Sequence, residues 1–265
     1  MKELYDRTKR LVGSDGMMEL KDARVLIVGL GGVGGFAVEA LARAGVGTLG
    51  LCDFDQVDPS NLNRQILALA DTLGRLKAEV AKERVLAINP DCNVKLYPFR
   101  LEPGNIASLD IQKDCPEGYK LCCKCGKCLP KWDFIVDAID DVPAKLALIE
   151  HAYKMNIPII CSMGTGNKLD PFGYKIVPIE KTEGDPLARA IRKRLREKDI
   201  KGIPVLYSAE QPVVKLENGN PIPTISYMPA IAGELIAGFV IKKIIASSEG
   251  CLGSRFLVKS SESED

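Results

Sequence analysis

The sequence predicts an α/β protein built on a doubly wound, mostly parallel sheet, and three observations carry that expectation. Short β-branched runs alternate with helix-period segments along most of the 265 residues. The first such run, Val25-Leu26-Ile27-Val28, passes directly into Gly29-Leu30-Gly31-Gly32-Val33-Gly34. The second, over residues 47–52, closes on Asp53. Strands alternating with helices have to lie parallel, with the helices packed on both faces of the sheet.

The elements follow in order. Glycine after residues 25–28 permits a tight turn, and a helix then begins; Gly31 lets backbone N–H groups approach a phosphate, which the helix N-terminus also favours. Asp53, at the end of the second strand, can hold ribose hydroxyls, so Gly29, Gly31, Gly32, Gly34 and Asp53 form a Rossmann-like nucleotide fingerprint. A helix is expected over 76–88, broken by Asn89-Pro90, then a strand over 93–98 and a short helical piece over 105–109. Residues 134–141 form a strand ending in the carboxylates Asp137, Asp140 and Asp141. A helix over 144–153 and a strand over 157–162 complete the pattern. From Met163 the architecture changes, with Gly164-Thr165-Gly166, a strand over 173–178 and a helix started by Asp185 as N-cap with Pro186 at N1. On that helix Leu187, Ile191 and Leu195 share one face. The last helix, 229–246, is apolar, yet it contains Glu234 and ends at Lys242-Lys243, which argues against a bilayer span. Residues 260–265 are a charged tail. The expected organisation is a single domain over 1–265, with a Cys-rich insertion at 111–131 and a substrate-facing C-terminal half at 163–265.

Bulk properties exclude several classes. Lys plus Arg is 36 and Asp plus Glu is 35, so no global field attracts nucleic acid. An apolar content of 46% suits a sizeable core. The N-terminus has no apolar h-region, and nine cysteines is an odd number; a cytoplasmic protein with reduced thiols or a metal is expected rather than a disulfide framework. His151, the sole histidine, sits mid-helix and reads as a surface residue, which weakens a dehydrogenase reading that needs a histidine to move a proton.

The residues after Asp53 favour ATP over NAD. Asp55, Asn61-Leu62-Asn63-Arg64-Gln65 and Lys77 fall on the nucleotide side of such a sheet. A dinucleotide pyrophosphate is met mainly by backbone amides, whereas a triphosphate attacked at its α-phosphorus needs fixed cations such as Arg64 and Lys77. One carboxylate at the end of the 134–141 strand can hold Mg²⁺ through a single oxygen.

Cys115, Cys122, Cys123, Cys125 and Cys128 crowd one Gly-, Lys- and Pro-rich segment. Cys122-x-x-Cys125-x-x-Cys128 with Cys115 supplies four sulfurs for a Zn²⁺ ion. The overlapping spacing also fits part of an iron–sulfur run, and a metal-free thiol-bearing loop stays open as the third reading. The segment enters a strand at its N-terminal end, away from the nucleotide, so these thiols are not expected to be catalytic.

Taken together, the glycine run, Asp53-Phe54-Asp55, Asn61-x-Asn63-Arg64-Gln65, Lys77 and Asp137-Ala138-Ile139-Asp140 resemble the E1-like adenylating enzymes, which activate carboxylates as acyl-adenylates. The resemblance runs from about residue 7 to about residue 245. It implies that Asp53 binds ribose, that Asn61, Arg64 and Lys77 contact phosphates, and that Asp140 holds Mg²⁺. It also implies a homodimer in which Arg10 reaches the partner's ATP site. The passage from Asp170-Pro171 through Lys181-Thr182, Asp185-Pro186-Leu187-Ala188-Arg189 and Arg192-Lys193-Arg194-Leu195-Arg196 resembles one branch, the tRNA threonylcarbamoyladenosine dehydratases. That resemblance implies ATP-dependent cyclisation of the threonylcarbamoyl group at position 37 of tRNA. The cations Arg189, Arg192, Lys193, Arg194, Arg196 and Lys198 then become a local phosphate stripe. The alternative is adenylation of the C-terminal carboxylate of a ubiquitin-like or sulfur-carrier protein. Where some relatives carry a cysteine this chain has Val205, which leaves a sulfur-transfer partner and any thiol-dependent step open.

Overall fold

The computed structural model describes residues 4–109, 132–215 and 221–246. Its centre is a seven-stranded sheet in the order β3-β2-β1-β4-β5-β7-β6. The strands are β1 Arg24–Val28, β2 Thr48–Cys52, β3 Asn93–Tyr97, β4 Phe134–Asp137, β5 Ile159–Ser162, β6 Tyr174–Pro178 and β7 Pro204–Ser208. All pairings are parallel except that of β6 with β7, which makes β6 an antiparallel edge. The helices are α1 Asp6–Asp22, α2 Gly32–Ala44, α3 Lys77–Ile88, α4 Val142–Met155, α5 Pro186–Glu197 and α6 Tyr227–Ile245.

The doubly wound layering is written in the alternation along β1. Val25 and Ile27 face a core shared with α1, α2, α3 and α6. Leu26 and Val28 face a second core shared with α4 and α5. A strand buried on both faces reads as a continuous apolar run because it has no wet side. Register at the N-terminal edge is held by Arg24, whose Nε and Nη2 donate to the Asp133 carboxylate at 3.0 and 2.8 Å, clamping the start of β1 to the start of β4.

From β1 the chain winds outward through β2 and β3, then returns to place β4 on the opposite side of β1. That reversal is the switch point at which a doubly wound sheet opens a crevice beyond the C-terminal ends of its strands. The Cys-rich segment, with Cys115, Cys122, Cys123, Cys125 and Cys128, lies outside the described residues. Its flanks meet beside the opposite, N-terminal end of β4: the Trp132 indole N–H donates to the Leu109 carbonyl at 2.8 Å.

Two elements are absent from the pattern expected of the sequence. α1 is kinked at Gly13, whose φ is +76°, and polar residues dominate it, so no helical period stands out. β7 follows the basic helix after a six-residue connection and is only five residues long. α4 begins two residues earlier than expected because Asp141 caps it, accepting the Ala144 N–H at 3.0 Å.

Beneath the C-terminal end of β4 sits a fully buried ion pair. Lys145 Nζ of α4 lies 2.7 Å from Asp137 Oδ2 and also donates to the Ser162 carbonyl of β5 at 3.0 Å. Burial pushes the Asp137 carboxyl up, opposed by Lys145 and by the Ile139 N–H. Lys145→Met should therefore destabilise the protein by about 3–5 kcal/mol in urea denaturation, since it strands a buried carboxylate. Asp137→Asn combined with Lys145→Met should recover most of that loss. Without Lys145 the folded state binds a proton more readily than the unfolded chain, so the single variant should gain stability relative to wild type on acidification from neutral pH. A loss below about 1 kcal/mol, with no pH dependence, would contradict this account.

Candidate functional site

A cleft of about 560 Å³ opens over the C-terminal ends of β1, β2, β4 and β5. Its near wall is the β1–α2 turn. Gly29 has φ +90°, a conformation that side chains rarely adopt, and its N–H donates to the Cys52 carbonyl at 2.8 Å. A Cβ on Gly34 would lie 1.8 Å from the Gly29 carbonyl oxygen, so this glycine is demanded by the close seating of α2 on the turn. Gly34 itself does not line the cleft. Gly31 does, and the nearest atom to a Cβ there would be Gln65 Nε2 at 3.9 Å. Among the described residues no atom crowds position 31 enough to require glycine; what it leaves is open cleft in front of the N-terminus of α2, where N–H groups and the helix dipole favour an anion.

Asp53, at the end of β2, is 9% exposed and braces this turn. Its Oδ2 accepts the Leu30 N–H at 2.6 Å and its Oδ1 the Asp55 N–H at 2.8 Å. Burial pushes the carboxyl up, and the two N–H donors and Lys77 pull it down. With one donor on each oxygen, lone pairs remain for ribose hydroxyls.

The cations are held in place. Lys77 opens α3, its side chain 6% exposed, with Nζ 2.9 Å from Asp55 Oδ2. Its own N–H donates to the Asp55 carbonyl at 2.9 Å, and Gln56 bridges Leu76 alongside. Arg64 Nη1 donates to the Ser60 carbonyl at 2.7 Å and to Asn63 Oδ1 at 2.9 Å, which aims the guanidinium without using all its donors. Asn61 Oδ1 accepts the Asp58 N–H, completing a capping box over the Pro59–Asn61 turn. Asn61, Arg64, Gln65, Lys77 and Asp140 all line the cleft, as do Gly29, Gly31, Gly32, Asp53 and Asp55. Asp140 is exposed on the β4–α4 turn, whose backbone the buried Asp137 holds through the Ile139 N–H at 3.1 Å. A single exposed carboxylate fits Mg²⁺, which commonly takes one or two carboxylates and completes its shell with phosphates and water.

Several lining residues escaped the sequence reading. Arg100 lies just beyond β3, its guanidinium 5.2 Å from the Phe54 ring centroid and 4.0 Å from Asp141 Oδ1. Phe99 and Leu101 flank it on the cleft wall. The rule that strand C-terminal ends build the crevice would have found them. The far wall carries Thr165, Gly166, Ile222 and Thr224 from the C-terminal half, and Asn63 Nδ2 reaches the Thr224 carbonyl at 3.1 Å. Lys168 and Asp185 form a second buried pair behind this wall, Nζ to Oδ2 at 3.3 Å, while Asp185 Oδ1 caps α5 through the Ala188 N–H at 2.8 Å. On α5 the fully buried residues are Ala188, Ile191 and Leu195; Leu187 is partly buried, packing against the same core and also lining the cleft.

Other expected residues lie elsewhere. Arg10 is exposed on α1, paired with Asp6 at 2.9 Å, and does not line the cleft of its own chain. His151 is half-buried on α4, also outside the cleft. Cys52 reaches the cleft wall, but burial pushes its thiol up to about 12, so it is no thiolate nucleophile. Val205 is fully buried in β7. Among the described residues no group of three His, Cys, Asp or Glu could hold a metal.

A doubly wound sheet with a glycine turn, a ribose-side carboxylate and fixed cations at its switch point defines a nucleotide-binding protein adapted to a polyphosphate. The chain belongs to the ThiF family, whose model matches residues 5–263. It is 36% identical over 262 residues to the tRNA threonylcarbamoyladenosine dehydratase of Bacillus subtilis, covering 92% of this chain and 96% of that one. The Escherichia coli protein of the same name is 37% identical over 195 residues, 74% of this chain and 66% of its own length. A crystal structure of E. coli tRNA N6-threonylcarbamoyladenosine dehydratase, TcdA, in complex with ATP superposes with a TM-score of 0.80 at 32% identity, covering 94% and 96% of the two chains.

The two glycines of the turn should separate folding from binding. Gly34→Ala should destabilise the protein by about 3 kcal/mol or more, because backbone has to move. Gly31→Ala should keep the wild-type melting temperature and weaken nucleotide binding at least tenfold, about 1.4 kcal/mol, by calorimetric titration. Equal effects of both on stability would contradict the reading of Gly31.

Proposed function

We propose that this chain is an ATP-dependent tRNA threonylcarbamoyladenosine dehydratase, which activates the threonine carboxylate on adenosine 37 and closes it into a ring. The observation that carries the reading is the convergence of Asp53, Arg64, Lys77 and Asp140 on one cleft, together with relatives of that name matching nearly the whole chain.

The chemistry follows from what these groups can do. Asp53 holds the ribose, and the N-terminus of α2 with Gly31 receives the phosphates. Arg64 and Lys77 offset the charge that builds up as a carboxylate oxygen bonds to the α-phosphorus and pyrophosphate departs. Asp140 is the residue that would hold Mg²⁺, which when bound screens the phosphate oxygens. A group already present in the substrate then attacks the activated carbonyl carbon, and AMP leaves with the carboxylate oxygen. Ring closure within one bound molecule needs no enzyme thiol, which accords with Cys52 being held as an inert thiol.

The active form is proposed to be a cytoplasmic homodimer, with Arg10 completing the partner's ATP site. No helix among the described residues is long and apolar enough to cross a membrane. The residues 111–131 are proposed to be an insertion that binds Zn²⁺ through Cys115, Cys122, Cys125 and Cys128 for local folding, apart from the chemistry.

Incubating threonylcarbamoyl-modified tRNA with ATP, Mg²⁺ and the protein should yield a nucleoside lighter by one water in mass spectrometry. Lys77→Ala and Asp140→Ala should each lower substrate-dependent ATP–pyrophosphate exchange by roughly 100-fold. Should that mass never appear while a small carrier protein is adenylated at its C-terminal carboxylate, the carrier-activating reading replaces this one. Mixing Arg10→Ala with Lys77→Ala subunits should restore part of the activity, because one site of each heterodimer is then intact. Absence of recovery, with subunit exchange demonstrated, would contradict donation between subunits.

A further inference from the structure

A second cleft, of about 530 Å³, lies against α5. Its floor is apolar, made by Ile179, Leu195 and Ile200, each at most 7% exposed. Its rim is cationic. Arg189, Lys193 and Arg196 stand at i, i+4 and i+7 along α5, which puts them on one face of the helix.

The remaining charges on and around α5 are already engaged. Arg194 pairs with Glu197 at 3.5 Å, Lys198 with Glu150 at 2.6 Å, and Lys201 with Asp199 at 2.6 Å. Arg192 donates to the Thr182 carbonyl, and Glu180, on the same rim, accepts the Gly202 N–H at 2.7 Å. Among the described residues Arg189, Lys193 and Arg196 have no carboxylate partner. Of the five cations that border the cavity, Lys201 is thus paired and Arg192 is held by a backbone carbonyl, while Arg189, Lys193 and Arg196 are left to face it without a carboxylate, in a chain whose net charge is only +1.

α5 also joins this cavity to the nucleotide cleft. Leu187 lines the first cleft, and Lys193 and Arg196 follow it along the same helix by roughly 9 and 14 Å at the α-helical rise. We propose that the second cleft seats an unstacked nucleotide of the RNA substrate, neighbouring the one processed in the first cleft. The base rests on Ile179, Leu195 and Ile200, and its flanking phosphates lie on Arg189, Lys193 and Arg196. Sequence-specific RNA recognition favours loops whose bases can be splayed out, and a concave apolar floor with cations at its lip matches a base bearing phosphates. The cavity has the size of a small-molecule site rather than a flat docking face, which favours one inserted nucleotide over an acidic protein surface. The inference rests on the RNA-substrate reading above and deepens it.

The test uses the full chain and an unmodified anticodon stem–loop RNA, with binding followed by fluorescence anisotropy across a salt series. Lys193→Ala with Arg196→Ala should flatten the log K against log salt slope by about 1.4, at roughly 0.7 per phosphate contact on a single strand. ATP affinity should not change. Replacing loop nucleotides one at a time by an abasic residue should reveal a single position, besides adenosine 37, whose base contributes at least fivefold to wild-type binding. Ultraviolet crosslinking from a thiouridine at that position should label peptides within 179–201. An unchanged salt slope in the double variant overturns the assignment, as does equal binding by every abasic RNA or displacement of the RNA by an acidic peptide at equal concentration. Wild-type protein that passes these tests yet never dehydrates modified tRNA would overturn the proposed function and leave the pocket supported.

Discussion

The Gly29 carbonyl oxygen occupies the place where any side chain on residue 34 would begin, 1.8 Å from an ideal Cβ. That contact lets α2 start directly above the end of β1, with its N-terminal amides facing the cleft rather than the core. Much of the rest follows from this seating. Asp53 can then reach Leu30 N–H from β2 while its second oxygen takes Asp55 N–H. The Asp55 side chain is thereby set to hold Lys77. The route from an achiral residue at position 34 to a fixed ammonium at position 77 runs through short, mostly backbone-anchored hydrogen bonds. Such geometry needs little reorganisation when charge develops on a ligand.

Buried ion pairs stand behind both walls of the cleft. Lys145 and Asp137 secure the β4 end that carries Asp140, and Lys168 and Asp185 secure the far wall together with the start of α5. Replacing a buried pair with apolar residues is often neutral for stability, so such pairs are weak evidence of stabilisation as such. Their geometry shows a different use. Each ties neighbouring segments together beside the C-terminal end of a strand, β4 for the first pair and β7 for the second, where a purely apolar contact would leave the turn's direction unspecified. Lys168 Nζ also donates to the Ser208 carbonyl, tying β7 into the same wall.

The parallel core and the near wall were legible from the sequence because their constraints are local. A β-branched run, a glycine turn and a carboxylate at the next strand end declare themselves within a few dozen residues. Asn61, Arg64, Gln65 and Lys77 came from the same logic and all line the cleft. What escaped depends on tertiary context. Arg100 sits past a strand that is only half-buried, and its meaning comes from Phe54, far away in sequence. Lys145 reads as an ordinary helix surface lysine until α4 turns it under the sheet. Leu187 packs on the core it shares with Ile191 and Leu195, as its helical spacing suggests, but its second place, on the cleft wall, comes only with the fold. α1 was hidden by the glycines at 13 and 16, the second of which is crowded by Val12, 3.0 Å from where a Cβ would sit.

Activation at the α-phosphorus followed by capture within the substrate dictates where the carboxylate oxygen goes. The threonylcarbamoyl carboxylate would be labelled at both oxygens with oxygen-18 and the modified tRNA turned over once with ATP. AMP should then carry one heavy oxygen, inorganic phosphate and pyrophosphate none, and the cyclic nucleoside the other. Heavy oxygen in inorganic phosphate with unlabelled AMP or ADP would mean attack at the γ-phosphorus, and would contradict the assignment of Arg64 and Lys77 to an adenylation site.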